Sequence, residues 1–180
     1  MSLAVHDLRT PLATISGFAR TLQRADLAEP NDRYLDIMVA ASDQLAELLE
    51  DLGLAARIES DRWEPNVQEA DTAELAHAAS EGLAAEVEGQ GVVVRVDRDA
   101  AERSLHLLAR CAIRHGGVER VTFSLDGPAI AIDPVSPAAA PVLTRETLRD
   151  LGAAVGARAI EALGGSVELE DARLVVRLPS

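Results

Sequence analysis

Two apolar seams, one after the other, constrain this chain more than anything else in it. Leu8, Leu12, Ile15, Ala19 and Leu22 recur at steps of four and three. Tyr34, Met38, Ala41, Leu45, Leu48, Leu52 and Ala55 keep the same rhythm after a short break. That spacing is the a/d stripe of helices that pack side by side. It predicts helices over residues 3–25 and about 31–58, joined through the turn and helix-start residues Ala28, Glu29, Pro30, Asn31 and Asp32. The product is a helical hairpin. One hairpin half-covers its own apolar stripes, so two copies are expected to close a four-helix bundle as a homodimer.

Trp63-Glu64-Pro65 ends this regime. Beyond it, helical and β-branched stretches alternate: a helix at 72–88, a strand at Val92–Val96, and a helix at 99–115. Strands at 119–126 and 129–133 follow, then a Pro/Ala segment at 134–143, a helix near 145–163 and a closing hairpin at 166–178. The predicted fold class is α+β: a helical hairpin over residues 1–60, then a small α/β sandwich over 64–180 with helices on one face of a mixed sheet.

Composition removes several function classes. A net charge of −13 would repel the phosphates of nucleic acid, so no nucleic-acid partner is expected. Aromatic residues make up 2% of the chain, so the core must be built from Leu, Val, Ile and Ala. The single Cys111 rules out an internal disulfide and a CxxC metal motif. His77, His106 and His115 fall on separate helical turns with no shared ligand spacing, so no bound metal is expected. Cys111 reads as a small buried core residue. No stretch reaches the ~18 apolar residues of a membrane span, and no signal peptide opens the sequence. A cytoplasmic location without a membrane segment is the expectation.

The chemistry concentrates at His6-Asp7-Leu8-Arg9-Thr10-Pro11-Leu12. At ~100° per residue, His6 and Thr10 project roughly opposite the seam, with Ala13 and Gly17 beside them on the same outer face. A solvent-facing imidazole among small neighbours leaves room for another protein to approach. Neutral imidazole can accept a phosphoryl group on one nitrogen while the other stays protonated and hydrogen-bonded. Asp7 is placed to hold that tautomer, and Thr10 to orient a water. Phosphoryl transfer is mostly positioning and charge neutralisation, which an uncluttered face permits. Two readings of Pro11 remain open on local physics. It is the first helical residue after a Thr10 N-cap, with His6 in a frayed tail. Or it sits inside a helix at a cost of ~3 kcal/mol.

The same seven residues resemble the H-box of sensor histidine kinases, where a proline follows the phospho-accepting histidine inside a helix. Tyr34-Leu35 onward, through Leu48-Leu49-Glu50-Asp51-Leu52 to Ala56-Arg57-Ile58-Glu59, is similar to the second helix of the same dimerisation and phosphotransfer domain. The resemblance implies that His6 is the phosphoryl site, Asp7 its acid/base helper and Thr10 a residue for phosphatase chemistry. Arg9, Ala13 and Gly17 would meet the partner protein. Arg20 is a further basic residue on the same helix that could meet an acidic surface.

The second unit resembles the ATP-binding domain of those kinases in order but not in chemistry. Ala109-Arg110-Cys111-Ala112-Ile113-Arg114-His115 is similar to the N-box helix, with Cys111 in the place of the magnesium-ligating asparagine and Leu107 at the upstream asparagine position. Magnesium prefers oxygen ligands. Ile130-Ala131-Ile132-Asp133 resembles the strand into the adenine-binding box, but Val135 and Pro137 take its glycine positions. Segment 134–143 is short for an ATP lid. Leu151-Gly152-Ala153-Ala154 matches part of the phosphate-binding glycine box, with Asp150 in a glycine position. The helix-to-strand turn Glu161-Ala162-Leu163-Gly164-Gly165-Ser166 is kept.

The resemblance therefore implies a two-component phosphorelay protein: a histidine phosphotransferase like the short bacterial ones that carry an inactive ATPase-like domain. It would exchange phosphate between His6 and the aspartates of response-regulator receiver domains. No ATP or other cofactor is expected on this chain, magnesium being brought by the receiver. Two alternatives stand beside it: a fragment of a divergent sensor kinase that still autophosphorylates, and a pseudokinase scaffold that binds response regulators without catalysis.

Overall fold

A computed structural model describes residues 2–24, 31–60 and 62–179, with the side chains of the first helix from Leu12 onward. The chain divides into two compact units, Met1–Ser60 and Asp61–Ser180.

The first unit is a pair of long helices, α1 (Ser2–Gln23) and α2 (Asn31–Glu59). The expected turn residues 28–30 lie outside the described residues. Arg20 grips both carboxylate oxygens of Asp43 at 2.7 Å, and Gln23 donates to Asp36, so polar side chains fix the pairing of the two helices. Arg20, still half exposed, is thus tied to α2 of its own hairpin.

The expected seams split. Leu12 and Ala19 are buried, but Ile15 and Leu22 are about half exposed, at 50% and 48%. On α2 the residues turned inward are Leu35, Ser42, Asp51 and Leu54, with Val39, Ala46 and Leu49 half-buried. Tyr34, Met38, Ala41, Leu45 and Leu52, members of the predicted seam, are exposed. The physical reason is that α2 carries two adjacent heptad stripes, one position apart. The smaller-residue stripe, with Ser42 and Ala46, lets α1 approach closely, and the bulkier one is left facing outward.

The second unit contains β1 (Val67–Asp71), α3 (Thr72–Ser80), β2 (Ala85–Glu88), β3 (Val93–Asp97), α4 (Arg98–Gly116), β4 (Val121–Asp126), β5 (Ala129–Asp133), α5 (Ala140–Leu143), α6 (Leu151–Ala162), β6 (Ser166–Glu170) and β7 (Arg173–Arg177). The main sheet runs β2-β4-β5-β7-β6, with β2 parallel to β4 and the other pairs antiparallel. β1 and β3 form a separate antiparallel pair.

Register lines up one apolar row across the sheet: Val87 opposite Phe123, Phe123 opposite Ile132, Ile132 opposite Leu174, and Leu174 opposite Leu169. Alternation then buries Val121, Phe123, Ile130, Ile132, Leu174 and Val176 on one face, each at most 1% exposed. Against them pack Leu75, Ala76, Ala101, Leu105, Leu108, Ala112, Ala157 and Ile160 from α3, α4 and α6. Each of those three helices starts on an aspartate whose carboxylate accepts a backbone N–H. Asp71 takes the N–H of Ala73, Asp97 that of Ala100, and Asp150 that of Ala153.

Two predicted helices overran. The 72–88 helix stops at Ser80, Gly82 has φ +74°, and Ala85–Glu88 becomes a strand paired with β4. The 145–163 helix begins only at Leu151, behind the Asp150 cap. The turn at Gly164-Gly165 stands as expected: Gly164 has φ +89°, and a Cβ on Gly165 would come within 2.4 Å of the Arg177 carbonyl.

Candidate functional site

The helix α1 runs from Ser2 to Gln23 without a break, so Pro11 is an interior residue. This decides against Pro11 as the first helical residue. His6, Asp7, Arg9 and Thr10 all belong to α1, while their side chains lie outside the described residues. Of the predicted contact face, Ala13 and Gly17 are described. Both are exposed, and a Cβ built on Gly17 would meet nothing within 4 Å. That part of α1 therefore presents a low, unobstructed surface.

In the second unit, the positions that the family resemblance assigns to nucleotide and magnesium are packed into protein. Leu107 is 4% exposed and Cys111 1% exposed, both on α4. Gly152 of α6 sits so close that a Cβ there would lie 2.8 Å from Leu107 Cδ2, and one on Gly156 would lie 3.1 Å from the Ser104 carbonyl. Glycines one turn apart thus let α6 lie directly on α4. The segment after β5 does not stand away as a flap. Val135, Ala139, Val142 and Leu143 are buried in the same core as Cys111, and the Val135 N–H bonds the Ala172 carbonyl at 2.7 Å. Pro137 is exposed. Asp133 accepts a 3.3 Å hydrogen bond from Ser124 and has Arg173 at 3.9 Å.

Cys111, His115 and Asp150 share no motif in the sequence. The structure brings them together. Cys111 and His115 are one turn apart on α4, and Asp150 arrives as the cap of α6. His115 Nε2 lies 3.0 Å from Asp150 Oδ2, while Asp150 Oδ1 accepts the Ala153 N–H at 3.0 Å. Burial, with the Asp150 charge adding to it, pushes the Cys111 thiol up to about 12 despite Arg114 and Arg110. The i,i+4 spacing of Cys111 and His115 was the available signal, but the third member is thirty-five residues further on and only the fold supplies it.

Between α5 and α6, Arg145 takes φ +63° and makes a two-pronged ion pair with Glu161 of α6. The guanidinium of Arg145 holds the Glu161 carboxyl below its ordinary range.

Residues 1–61 match the family model of the His Kinase A (phospho-acceptor) domain. A search of the curated proteins finds no match. Among solved structures, full-length ShkA in complex with AMPPNP superposes with a TM-score of 0.70 at 21% identity, over 98% of this chain and 44% of that one. The chain therefore spans less than half of ShkA. The histidine kinase AdeS of Acinetobacter baumannii gives 0.61 at 21% identity, over 95% of this chain and 94% of that one. The ATP binding domain of PrrB from Mycobacterium tuberculosis gives 0.50 at 25% identity, over 64% of this chain and 98% of that one. These likenesses establish a helical N-terminal region followed by an α/β domain with the fold of histidine-kinase ATPase domains. No helix among the described residues is long and apolar enough to cross a membrane.

Proposed function

We propose that this chain is a cytoplasmic histidine phosphotransferase that exchanges a phosphoryl group between His6 and receiver-domain aspartates without using ATP. The observation that carries the reading is the burial of Leu107 against α6 and of Cys111 in the core, where the resemblance calls for magnesium and nucleotide ligands. A site that must admit a triphosphate needs polar, reachable groups there, and this one has a leucine and a protonated thiol. The family match over residues 1–61 supports the phospho-acceptor half of the reading.

In this scheme the receiver supplies its own magnesium and an acyl phosphate. His6 attacks phosphorus in line, the aspartyl oxygen leaves with the bonding electrons, and the second ring nitrogen keeps its proton. Asp7 holds that tautomer. Thr10 positions water when the phosphoryl group is hydrolysed instead. Arg9, Ala13 and Gly17 form the receiver-facing surface, with no large side chain to hold the partner off. The active species is a homodimer, closed over the exposed stripe of Ile15, Phe18, Leu22, Met38, Leu45 and Leu52.

The likeness to AdeS along nearly its whole chain favours a second reading, an ATP-using kinase core. Transfer experiments separate the two. A purified, phosphorylated receiver should label the protein, and His6→Ala should abolish the label. Failure of every receiver in the organism to label it would dismiss the phosphotransferase.

A further inference from the structure

We propose that Cys111, His115 and Asp150 form a binding site for a zinc-class divalent cation, linking α4 to the start of α6. The three candidate ligand atoms, one from each residue, all lie within 4.8 Å of one another. Around a tetrahedral zinc with bonds of ~2.0–2.3 Å, ligand atoms stand about 3.3–3.8 Å apart. Closing the set therefore needs side-chain adjustments of about an ångström, with the backbone already in place.

The donor set selects the metal. A thiolate, an imidazole and a carboxylate suit zinc, or cobalt as its spectroscopic stand-in, whereas magnesium demands oxygen ligands in an octahedron. Charge balances as well: thiolate and carboxylate together neutralise a divalent ion. Asp150 is oriented from behind, because its Oδ1 already accepts the Ala153 N–H and leaves Oδ2 aimed at His115. Such outer bonds commonly fix metal ligands.

Binding replaces the 3.0 Å contact between His115 Nε2 and Asp150 Oδ2 by bonds from both atoms to the metal. Neutral His115 then carries its proton on Nδ1, and the Cys111 thiol passes its proton to solvent, so one proton leaves per ion bound. Three protein ligands leave the fourth tetrahedral position to a water. His115 and Asp150 retain 24% and 10% side-chain exposure, which opens one edge of the site to solvent while Cys111 stays inside.

The test uses the full chain, stripped with a chelator and titrated with Zn²⁺ and Co²⁺. One ion per chain should bind, with release of about one proton. Co²⁺ should produce a thiolate charge-transfer band together with tetrahedral d–d bands. His115→Gln and Cys111→Ala should each weaken binding at least ~100-fold, and the charge-transfer band should vanish in Cys111→Ala. Asp150→Asn, which keeps the helix cap, should weaken binding while leaving the circular dichroism unchanged. His77→Gln, an exposed histidine elsewhere, and His6→Ala should bind like the parent. Absence of binding, or equal binding by the His115→Gln and Cys111→Ala proteins, would overturn the assignment.

Discussion

His115 reaches from the last turn of α4 to Asp150, the cap of α6, with Nε2 3.0 Å from Oδ2. Both positions belong to segments that, in the kinases this chain resembles, face the nucleotide. Here they face each other. The carboxylate that would repel a triphosphate instead starts a helix and tethers a histidine. The second unit thus has the fold of histidine-kinase ATPase domains, with an internal contact between α4 and the start of α6 at these two positions.

That contact sets the first expectation. Asp150→Ala removes both the cap and the histidine partner and should destabilise the second unit by about 1–2 kcal/mol. Asp150→Asn keeps an acceptor for the Ala153 N–H and should cost less than half as much. Urea unfolding at pH 7 measures both. Equal stability of the parent and the alanine variant would contradict the role given to this residue.

Leu107 carries the argument that the pocket is filled. Placing asparagine there, as the family pattern would have it, buries an amide against Gly152 and Gly156 of α6. Leu107→Asn should lose about 2–4 kcal/mol of stability and gain no affinity for nucleotide. A variant as stable as the parent, or one that binds ATP, would show that the leucine does not close the site.

The outward stripe on α1 and α2 predicts association. Leu45 is 52% exposed in the single chain, on the same α2 stripe as Met38 at 46% and Leu52 at 39%. Leu45→Glu acts twice in a two-fold dimer, forfeiting about 3–6 kcal/mol of apolar burial, or ~10²–10⁴ in dimer affinity. Sedimentation equilibrium should show a dimer for the parent and a monomer for the variant at micromolar concentration. A monomeric parent would refute the bundle.

Glu161 gives a pH signature. Its folded-state carboxyl titrates below the unfolded value, held there first by the hydrogen bond from Arg145. The stabilisation is complete above the unfolded pKa of ~4.3 and disappears as pH falls through the folded value. Glu161→Gln should cost about 1 kcal/mol at pH 7, a gap that narrows as pH falls below the unfolded value of ~4.3 and is lost through the lower folded value. Thermal unfolding across that range reads it directly, and a gap independent of pH would contradict the pairing.

Much of this fold was legible because its signals are local. Two heptad seams separated by a proline-containing break give a hairpin, and short apolar β-prone runs such as Val121-Thr122-Phe123 and Ile130-Ala131-Ile132 give β4 and β5. The errors arose where tertiary pairing overrides local preference. Ala84-Ala85-Glu86-Val87 reads as helix by composition, yet the sheet edge of β4 recruits it as a strand. β1 has Ala70 as its one buried residue and carries too little apolar pattern to be seen without β3 beside it. On α2 the sequence shows the bulkier stripe, whereas α1 packs on the small-residue stripe next to it, because close helix approach favours Ser42 and Ala46. The phospho-acceptor motif was readable as a contiguous string. The Cys111–His115–Asp150 cluster was not, since one member joins only after β4 and β5 fold the chain back.

The most direct test of the central claim is a side-by-side labelling of the full chain with radiolabelled magnesium-ATP alone and with a radiolabelled phospho-receiver alone. Label from the receiver only, absent in His6→Ala, is the predicted result. Label acquired from ATP without a receiver would contradict it.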